Sequence, residues 1–502
     1  MSAATVAGVQ PATVPLTGRT EHTREQVGGK AWSIQHMLAL GIPVPPAFVL
    51  TTGVCDAYHR SGEVPPEVDA GIAAEMSRLE QEVGRTFGHG PHPLLVSVRS
   101  GAATSMPGMM DTVLNLGMDD AVEQALAAET GDSSYAADTR RRFVEQFEKI
   151  VGTTPPADPW EQLRLAVRAV LESWYSKRAV SYRAARGIPD TGGTAVTVQA
   201  MVFGNIDDRS GTGVLFTRDP LTGDPAPFGE WLPRGQGEDV VSGRFDALLL
   251  EELAAAQPEA HAELMGAAET LERAGRDVQD IEFTVQSGRL WLLQSRSAKR
   301  TPQAAVRTAV LLAEEGVITP AEALDRITPA ALDTLLHPRL SPSAVAASPA
   351  VASGKPACPG IATGIVVTDA DEAEDLADEG RDVILARPTT DPDDVAGMSV
   401  SVAVVTELGG ATSHAAVVCR ELAVPCVVGV GTGTVTALAG QVVTVDAAAG
   451  TVHLGRLPVD PALTADDPVL ATLAQWLRAE PGAADAPTVV EMLEARIGRA
   501  VR

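Results

Sequence analysis

Apolar residues at helical spacing, Ile34, Met37 and Leu38, follow Gly28-Gly29-Lys30 and stop at Gly41 and the run Ile42-Pro43-Val44-Pro45-Pro46. This pattern predicts a glycine turn feeding a helix. Residues 94–98 read as a strand running into Arg99-Ser100-Gly101. From about 135 to 186 the period is helical, with Phe143, Phe147 and Ile150 on one face and Val170, Leu171 and Trp174 on another. Strand-like runs return at Ala195-Val196-Thr197-Val198, Val214-Leu215-Phe216 and Ile281-Glu282-Phe283. Periodicity then lapses in a Pro-, Ser- and Ala-rich stretch over 338–359, which reads as linker. Gly364-Ile365-Val366-Val367, Val383-Ile384-Leu385 and Val402-Ala403-Val404-Val405 predict a second unit, with a helix after His414 and a close near residue 454. Two short helices end the chain, one opened by Asp467-Pro468 and the other by a Thr488/Glu491 capping box. The expected class is mixed α/β (α+β).

A chain of 502 residues with 45% hydrophobic content implies several folded domains. Its formal charge of -26 argues against nucleic acid or an anionic membrane as partner, since both would repel it. Cys55, Cys358, Cys419 and Cys426 form no CxxC pair and sit among apolar or small residues. They read as small buried hydrophobes in a reducing compartment, and with no membrane span or leader pattern the expected location is cytoplasmic.

Three groups of residues carry candidate chemistry. Gly28-Gly29-Lys30 and Arg99 place backbone donors and cations where phosphate could approach, although Arg99 could equally serve a structural ion pair. Asp280 and Glu282 share one strand face, followed by Gln294 and Arg296. A three-residue loop Ser287-Gly288-Arg289 would set Glu282 opposite Gln294 and Asp280 opposite Arg296, a constellation suited to Mg²⁺ and phosphate, whereas a two-residue loop would separate the faces. A solvated polar strand with an incidental ion pair is the alternative. Lastly, His414 follows Gly409-Gly410-Ala411-Thr412-Ser413 and opens a helix, so the positive end of the helix dipole would stabilise a phosphoryl group on its ring and discourage imidazolium. A cap or surface role is the bland reading of such a histidine.

The stretch Gly409-Gly410-Ala411-Thr412-Ser413-His414-Ala415-Ala416, continued to Gly429, resembles the phosphohistidine signature of phosphoenolpyruvate-utilising enzymes. Further runs resemble the pyruvate phosphate dikinase family in family order: Ser97-Val98-Arg99-Ser100-Gly101, Met106-Pro107-Gly108-Met109-Met110-Asp111, Gln199-Ala200-Met201-Val202, Phe216-Thr217-Arg218-Asp219-Pro220, Gln236-Gly237-Glu238-Asp239 and Asp280-Ile281-Glu282-Phe283. The resemblance implies an ATP-grasp-type nucleotide-binding domain over 1–337 with a helical insert at about 120–190. It further implies a linker at 338–356, a small swivelling phosphohistidine domain over 357–455 and a helical tail over 456–502. It implies that Lys30, Arg99 and Arg296 hold ATP phosphates, that Gln199, Ala200, Met201 and Val202 line the adenine pocket, and that Asp280, Glu282 and Gln294 serve Mg²⁺ and phosphoryl transfer. His414 would take a pyrophosphoryl group from ATP and pass the outer phosphoryl to inorganic phosphate. Thr412 matches a threonine that is modified for regulation in some members. Cys358 stands where the family pattern leads one to expect Ser, with no role assigned.

Family members continue into a barrel that binds pyruvate or phosphoenolpyruvate, so the acceptor of the phosphoryl group is expected on a separate protein. Phosphate or water as second substrate and the oligomeric state, a homodimer included, stay open. Two other classes remain in view: a non-catalytic nucleotide-sensing or assembly subunit, and a small-molecule phosphotransferase of the same superfamily.

Overall fold

The structure is a computed structural model that describes residues 11–19, 22–104, 106, 109–241, 247–336, 339–340, 342–460, 467–480 and 486–500. Pro107 and Gly108 of the methionine-rich run therefore lie outside the described residues. The chain divides into two compact units, Met1–Gly211 with Phe283–Ser295, and Thr212–Glu282 with Arg296–Arg502. The mixed α/β class holds: helices and several sheets share both units.

In the first unit, β1 (Thr13–Leu16), β2 (Ala47–Leu50), β3 (Val96–Gly101), β4 (Thr112–Leu116) and β5 (Ala195–Ala200) form an antiparallel sheet ordered β1-β2-β5-β3-β4. Gly101 pairs with Ala195 and Ala47 with Gln199. Helices α1 (Arg24–Ala39), α2 (Thr52–Ser61) and α3 (Pro66–Val83) precede β3, and α4 (Asp120–Thr130), α5 (Ser133–Val151), α6 (Pro159–Ser173) and α7 (Lys177–Arg186) follow β4. Phe143, Phe147, Val170, Leu171 and Trp174 of this helical run are buried, as their spacing predicts.

The glycine pair lies inside α1 rather than ahead of it. Gly28 has φ 75° and ψ 161° and kinks the helix. A Cβ there would stand 2.0 Å from the Gly101 carbonyl oxygen, and Gly29 N–H donates to the Ala102 carbonyl at 2.9 Å. Close approach to the end of β3 is thus what demands glycine. Gly28→Ala should cost about 4 kcal/mol from backbone strain and overpacking together; an unchanged urea midpoint would refute this account of the kink.

The second unit carries a sheet ordered β8-β7-β6-β9-β10, from β6 (Gly211–Phe216), β7 (Phe228–Pro233), β8 (Leu248–Leu249), β9 (Gln279–Gln286) and β10 (Arg289–Ser297), with α8 (Gly237–Val241), α9 (Leu250–Ala256) and α10 (Pro258–Gly275) between its strands. The outer part of the β9–β10 hairpin counts with the first unit. Helices α11 (Pro302–Glu314), α12 (Pro320–Arg326) and α13 (Pro329–Leu335) pack with the closing helices α18 (Pro468–Ala479) and α19 (Val489–Ala500) around Val306, Leu312, Leu332, Leu473, Leu477 and Leu493. Asp467 caps α18, and Thr488 and Glu491 exchange the reciprocal bonds of a capping box.

The described part of the stretch read as linker contains a strand at Arg339–Leu340 and α14 (Pro342–Ala347). An eight-stranded mixed sheet follows: β11 (Ala352–Ser353), β12 (Lys355–Cys358), β13 (Ile361–Val367), β14 (Val383–Arg387), β15 (Ala403–Thr406), β16 (Cys426–Val428), β17 (Val442–Asp446) and β18 (Thr451–Leu454), in the order β11-β18-β17-β13-β14-β15-β16-β12. Strands β13 to β16 are parallel, which fits their unbroken apolar runs. Helices α15 (Ala370–Asp378), α16 (Val395–Val400) and α17 (His414–Leu422) supply the crossovers. The four cysteines are free and buried.

Candidate phosphohistidine and nucleotide sites

In a parallel β-α-β unit the loops at the carboxyl ends of the strands are where ligands bind. His414 occupies such a place: it is the first residue of α17, after β15, and Thr390 follows the neighbouring β14. Ala415, Ala416, Val418 and Cys419 anchor the helix in the domain core, with Val417 and Leu422 only partly buried. The Thr390 hydroxyl lies 3.1 Å from His414 Nδ1, whereas Nε2 is buried with no hydrogen-bond partner among the described residues. Ser413 Oγ, one residue earlier, is also buried and unpartnered among the described residues. Burial pulls the imidazole pKa below its ordinary value, and the Asp391 carboxylate opposes that pull. The ring is therefore neutral down to lower pH than usual. Asp391→Asn, which keeps a polar side chain but removes the charge, should move the acid limb of any His414 reaction to still lower pH; a shift to higher pH would contradict the assignment.

The loop before His414 is seated on the β7 strand of the same unit. Thr412 Oγ1 donates to Glu230 Oε2 at 2.6 Å, both residues being buried, and Lys355 Nζ lies 3.8 Å from Glu230 Oε1. A Cβ on Gly410 would come within 2.6 Å of that same oxygen, so a larger residue there would push the Glu230 carboxylate aside. Lys299 and Glu421 form a second tie at 3.3 Å.

Asp280 is 4% exposed and receives Arg296 Nε at 2.8 Å. Its charge is the main reason that the Arg296 pKa rises. The loop behind this pairing differs from expectation. Ser287 (φ 50°) and Gly288 (φ 82°) make a two-residue turn, not a three-residue one. Yet Ala298 N–H reaches the Val278 carbonyl at 2.9 Å. From Gln286 back to Val278 is eight positions, and from Arg289 on to Ala298 is nine, so β10 carries one extra residue. Adjacent burial of Gln294 and Ser295 breaks the alternation there. Ser295 N–H donates to Ser33 Oγ at 3.0 Å, and the Ser33 hydroxyl donates to the Ser295 carbonyl at 2.5 Å. This bulge returns Arg296 to the face of Asp280. Gln294 is buried, with no partner for Oε1 among the described residues.

In the first unit, a Cβ on Gly101 would meet Lys30 Cβ at 3.6 Å, which places Lys30 beside the end of β3, the strand that carries Arg99. A cavity of about 430 Å³ is lined by Ala200, Met201 and Val202 together with Pro43, Tyr135, Phe203, Arg289 and Trp291. Its size and aromatic lining suit a small organic ligand. Arg85 and Glu129, which pair through Nη2 and Nη1 at 2.6 and 3.0 Å, also line it. Gln199 does not line it; its amide donates to the Pro45 carbonyl at 3.1 Å and so shapes the wall from behind. Sequence reasoning missed Thr390, Glu230, Tyr135 and the Arg85–Glu129 pair, which only tertiary contact brings to these places. Among the described residues no three His, Cys, Asp or Glu side chains gather as a metal cluster, and no helix is long and apolar enough to cross a membrane.

Fold and site together define an α/β protein with an ATP-grasp-type nucleotide domain and a histidine-bearing mobile domain. Residues 59–247 match the family described as pyruvate phosphate dikinase, AMP/ATP-binding domain, and residues 380–450 match the PEP-utilising enzyme, mobile domain. The pyruvate, phosphate dikinase of Rhizobium meliloti (strain 1021) is 40% identical over 529 residues, covering 90% of this chain and 58% of that protein. Pyruvate, phosphate dikinase 2 of Zea mays is 38% identical, covering 91% and 58%, and the Clostridium symbiosum pyruvate, phosphate dikinase is 40% identical, covering 81% and 52%. The chain belongs to the pyruvate, phosphate dikinase family, and it spans little more than half the length of these relatives.

Proposed function

We propose that this chain loads His414 from ATP. The observation that carries the reading is the state of the imidazole: Nδ1 is engaged by Thr390, while Nε2 is buried at the start of a helix with no hydrogen-bond partner among the described residues. With the Nδ1 proton donated to Thr390, the Nε2 lone pair is the nucleophile. It would form a bond to the β-phosphorus of ATP as the bond from that phosphorus to the bridging oxygen breaks, the electron pair leaving on AMP. Inorganic phosphate would then attack the outer phosphorus, pyrophosphate would leave, and one phosphoryl group would remain on Nε2. Peptide N–H groups at the helix start, the helix dipole and the Ser413 hydroxyl favour the added charge.

Lys30 and Arg99 would bind phosphate oxygens, the cavity at Ala200, Met201 and Val202 would take adenine, and Gln294 and Arg296 would orient the transferring group. Asp280 and Glu282 would hold Mg²⁺, an ion that takes oxygen ligands and commonly uses only one or two carboxylates beside phosphates and water; bound there it would draw charge from phosphate oxygens. A phosphate on Thr412 would remove its hydroxyl from Glu230 and set two anions together, which supports a regulatory role for that residue. Pyruvate would be the final acceptor of the phosphoryl group.

The test is to incubate the chain with ATP, Mg²⁺ and phosphate and follow AMP and pyrophosphate. Both should form without pyruvate. Release of phosphate in place of pyrophosphate would make water the second substrate. Binding of ATP with no AMP would favour a nucleotide-sensing subunit, and AMP formation only in the presence of pyruvate would overturn loading of His414 from ATP alone.

A further inference from the structure

Arg420 lies two turns along the helix that His414 opens, and the loading chemistry above does not use it. It is 3% exposed. Nη1 donates to the carbonyls of Ala411 at 2.9 Å and Ala357 at 3.3 Å, while Nε and Nη2 are buried and find no hydrogen-bond partner among the described residues. Those two nitrogens form one edge of the guanidinium, the edge that engages carboxylate or phosphate through parallel bonds. A buried cation with that edge unfilled is costly, and an anion is what would complete it.

Its position says which anion. The guanidinium carbon stands 5.6 Å from the centre of the Phe216 ring, a cation–π distance. Thr217 N–H donates to the Gln279 carbonyl at 3.0 Å, so Phe216 and Asp280 sit on neighbouring strands, β6 and β9. Asp280 in turn holds Arg296. The Thr412–Glu230 and Lys299–Glu421 contacts seat the helix on this sheet, so the mobile domain brings Arg420 to the carboxylate-bearing strand. Burial weakens the basicity of Arg420 and the nearby Asp280 charge partly restores it.

We infer that Arg420 is an arginine delivered by the histidine-bearing domain to the phosphate chain of ATP, its Nε–H and Nη2–H donating to oxygens of the group in flight toward His414. The inference rests on the reading of His414 as phosphoryl acceptor. Such a residue acts in the transition state, so its removal slows transfer far more than it weakens nucleotide binding.

The experiment measures single-turnover labelling from ATP labelled in the β position, with ATP affinity and thermal unfolding followed in parallel, for wild type and Arg420→Lys. The expected result is a labelling rate at saturating ATP lower by about 1,000-fold, an ATP dissociation constant within about 3-fold of wild type, and a cooperative unfolding transition. Should the lysine variant not fold, Arg420→Gln, which retains a donor for the Ala411 carbonyl, takes its place. A folded variant that labels at the wild-type rate overturns the role of Arg420 and leaves His414 untouched. An equal loss of ATP affinity and rate also overturns it, as the mark of a ground-state or packing role. Wild type that takes no label would instead overturn the reading of His414.

Discussion

His414→Ala should abolish acid-labile labelling of the chain by ATP. The substitution removes the Nε2 atom, and residues 409–413 include no histidine that could replace it. Binding of ATP should persist within about 3-fold, because the cavity lined by Ala200, Met201 and Val202 lies in the first unit, which does not include His414. Stability should change little. The ring hydrogen-bonds to Thr390, and α17 is anchored by Ala415, Val418 and Cys419. Loss of label together with loss of ATP binding would point to misfolding and is separated by titration with ATP. Label that survives the substitution would place the phosphoryl group elsewhere.

Asp280→Asn should be nearly as damaging to loading while leaving His414 intact. It keeps the size and one acceptor oxygen but removes the charge that faces Arg296 and, in the proposed reading, a carboxylate for Mg²⁺. Breaking a well-buried ion pair costs about 3–5 kcal/mol. Here the Arg296 side chain is 30% exposed and an amide still accepts its hydrogen bond, so about 2 kcal/mol is the expected loss, read from a urea titration. The labelling rate should fall by at least about 100-fold. Wild-type loading by this variant would remove Asp280 from the phosphate site and leave it a structural partner of Arg296.

The parts of the site that were legible in the sequence are those whose chemistry is local. Two glycines, two hydroxyl residues and a histidine before Ala415-Ala416-Val417-Val418 mark a helix start, and α17 begins at His414. The parallel strands around it announced themselves by unbroken apolar runs. Asp280 and Arg296 do meet, but through a turn and a bulge that offset each other. The bulge is stabilised by Ser33, 262 positions away, and no local pattern carries that information. Gly28 and Gly29 read as a phosphate turn, whereas the structure shows what the backbone of Gly101 and Ala102 requires of them. Gln199 sits in a run read as pocket wall, yet strand alternation turns its side chain toward Pro45. Thr390 and Glu230 act on His414 and Thr412 across 24 and 182 positions, a distance that only the folded chain removes.

The most direct test of the account is a paired labelling experiment with ATP carrying the label in the β or in the γ position, in the presence of Mg²⁺ and phosphate. The account predicts acid-labile label on His414 from β-labelled ATP, and from γ-labelled ATP label that leaves as pyrophosphate. Label retained from the γ position with ADP as product, or no label on His414 from either, would contradict it.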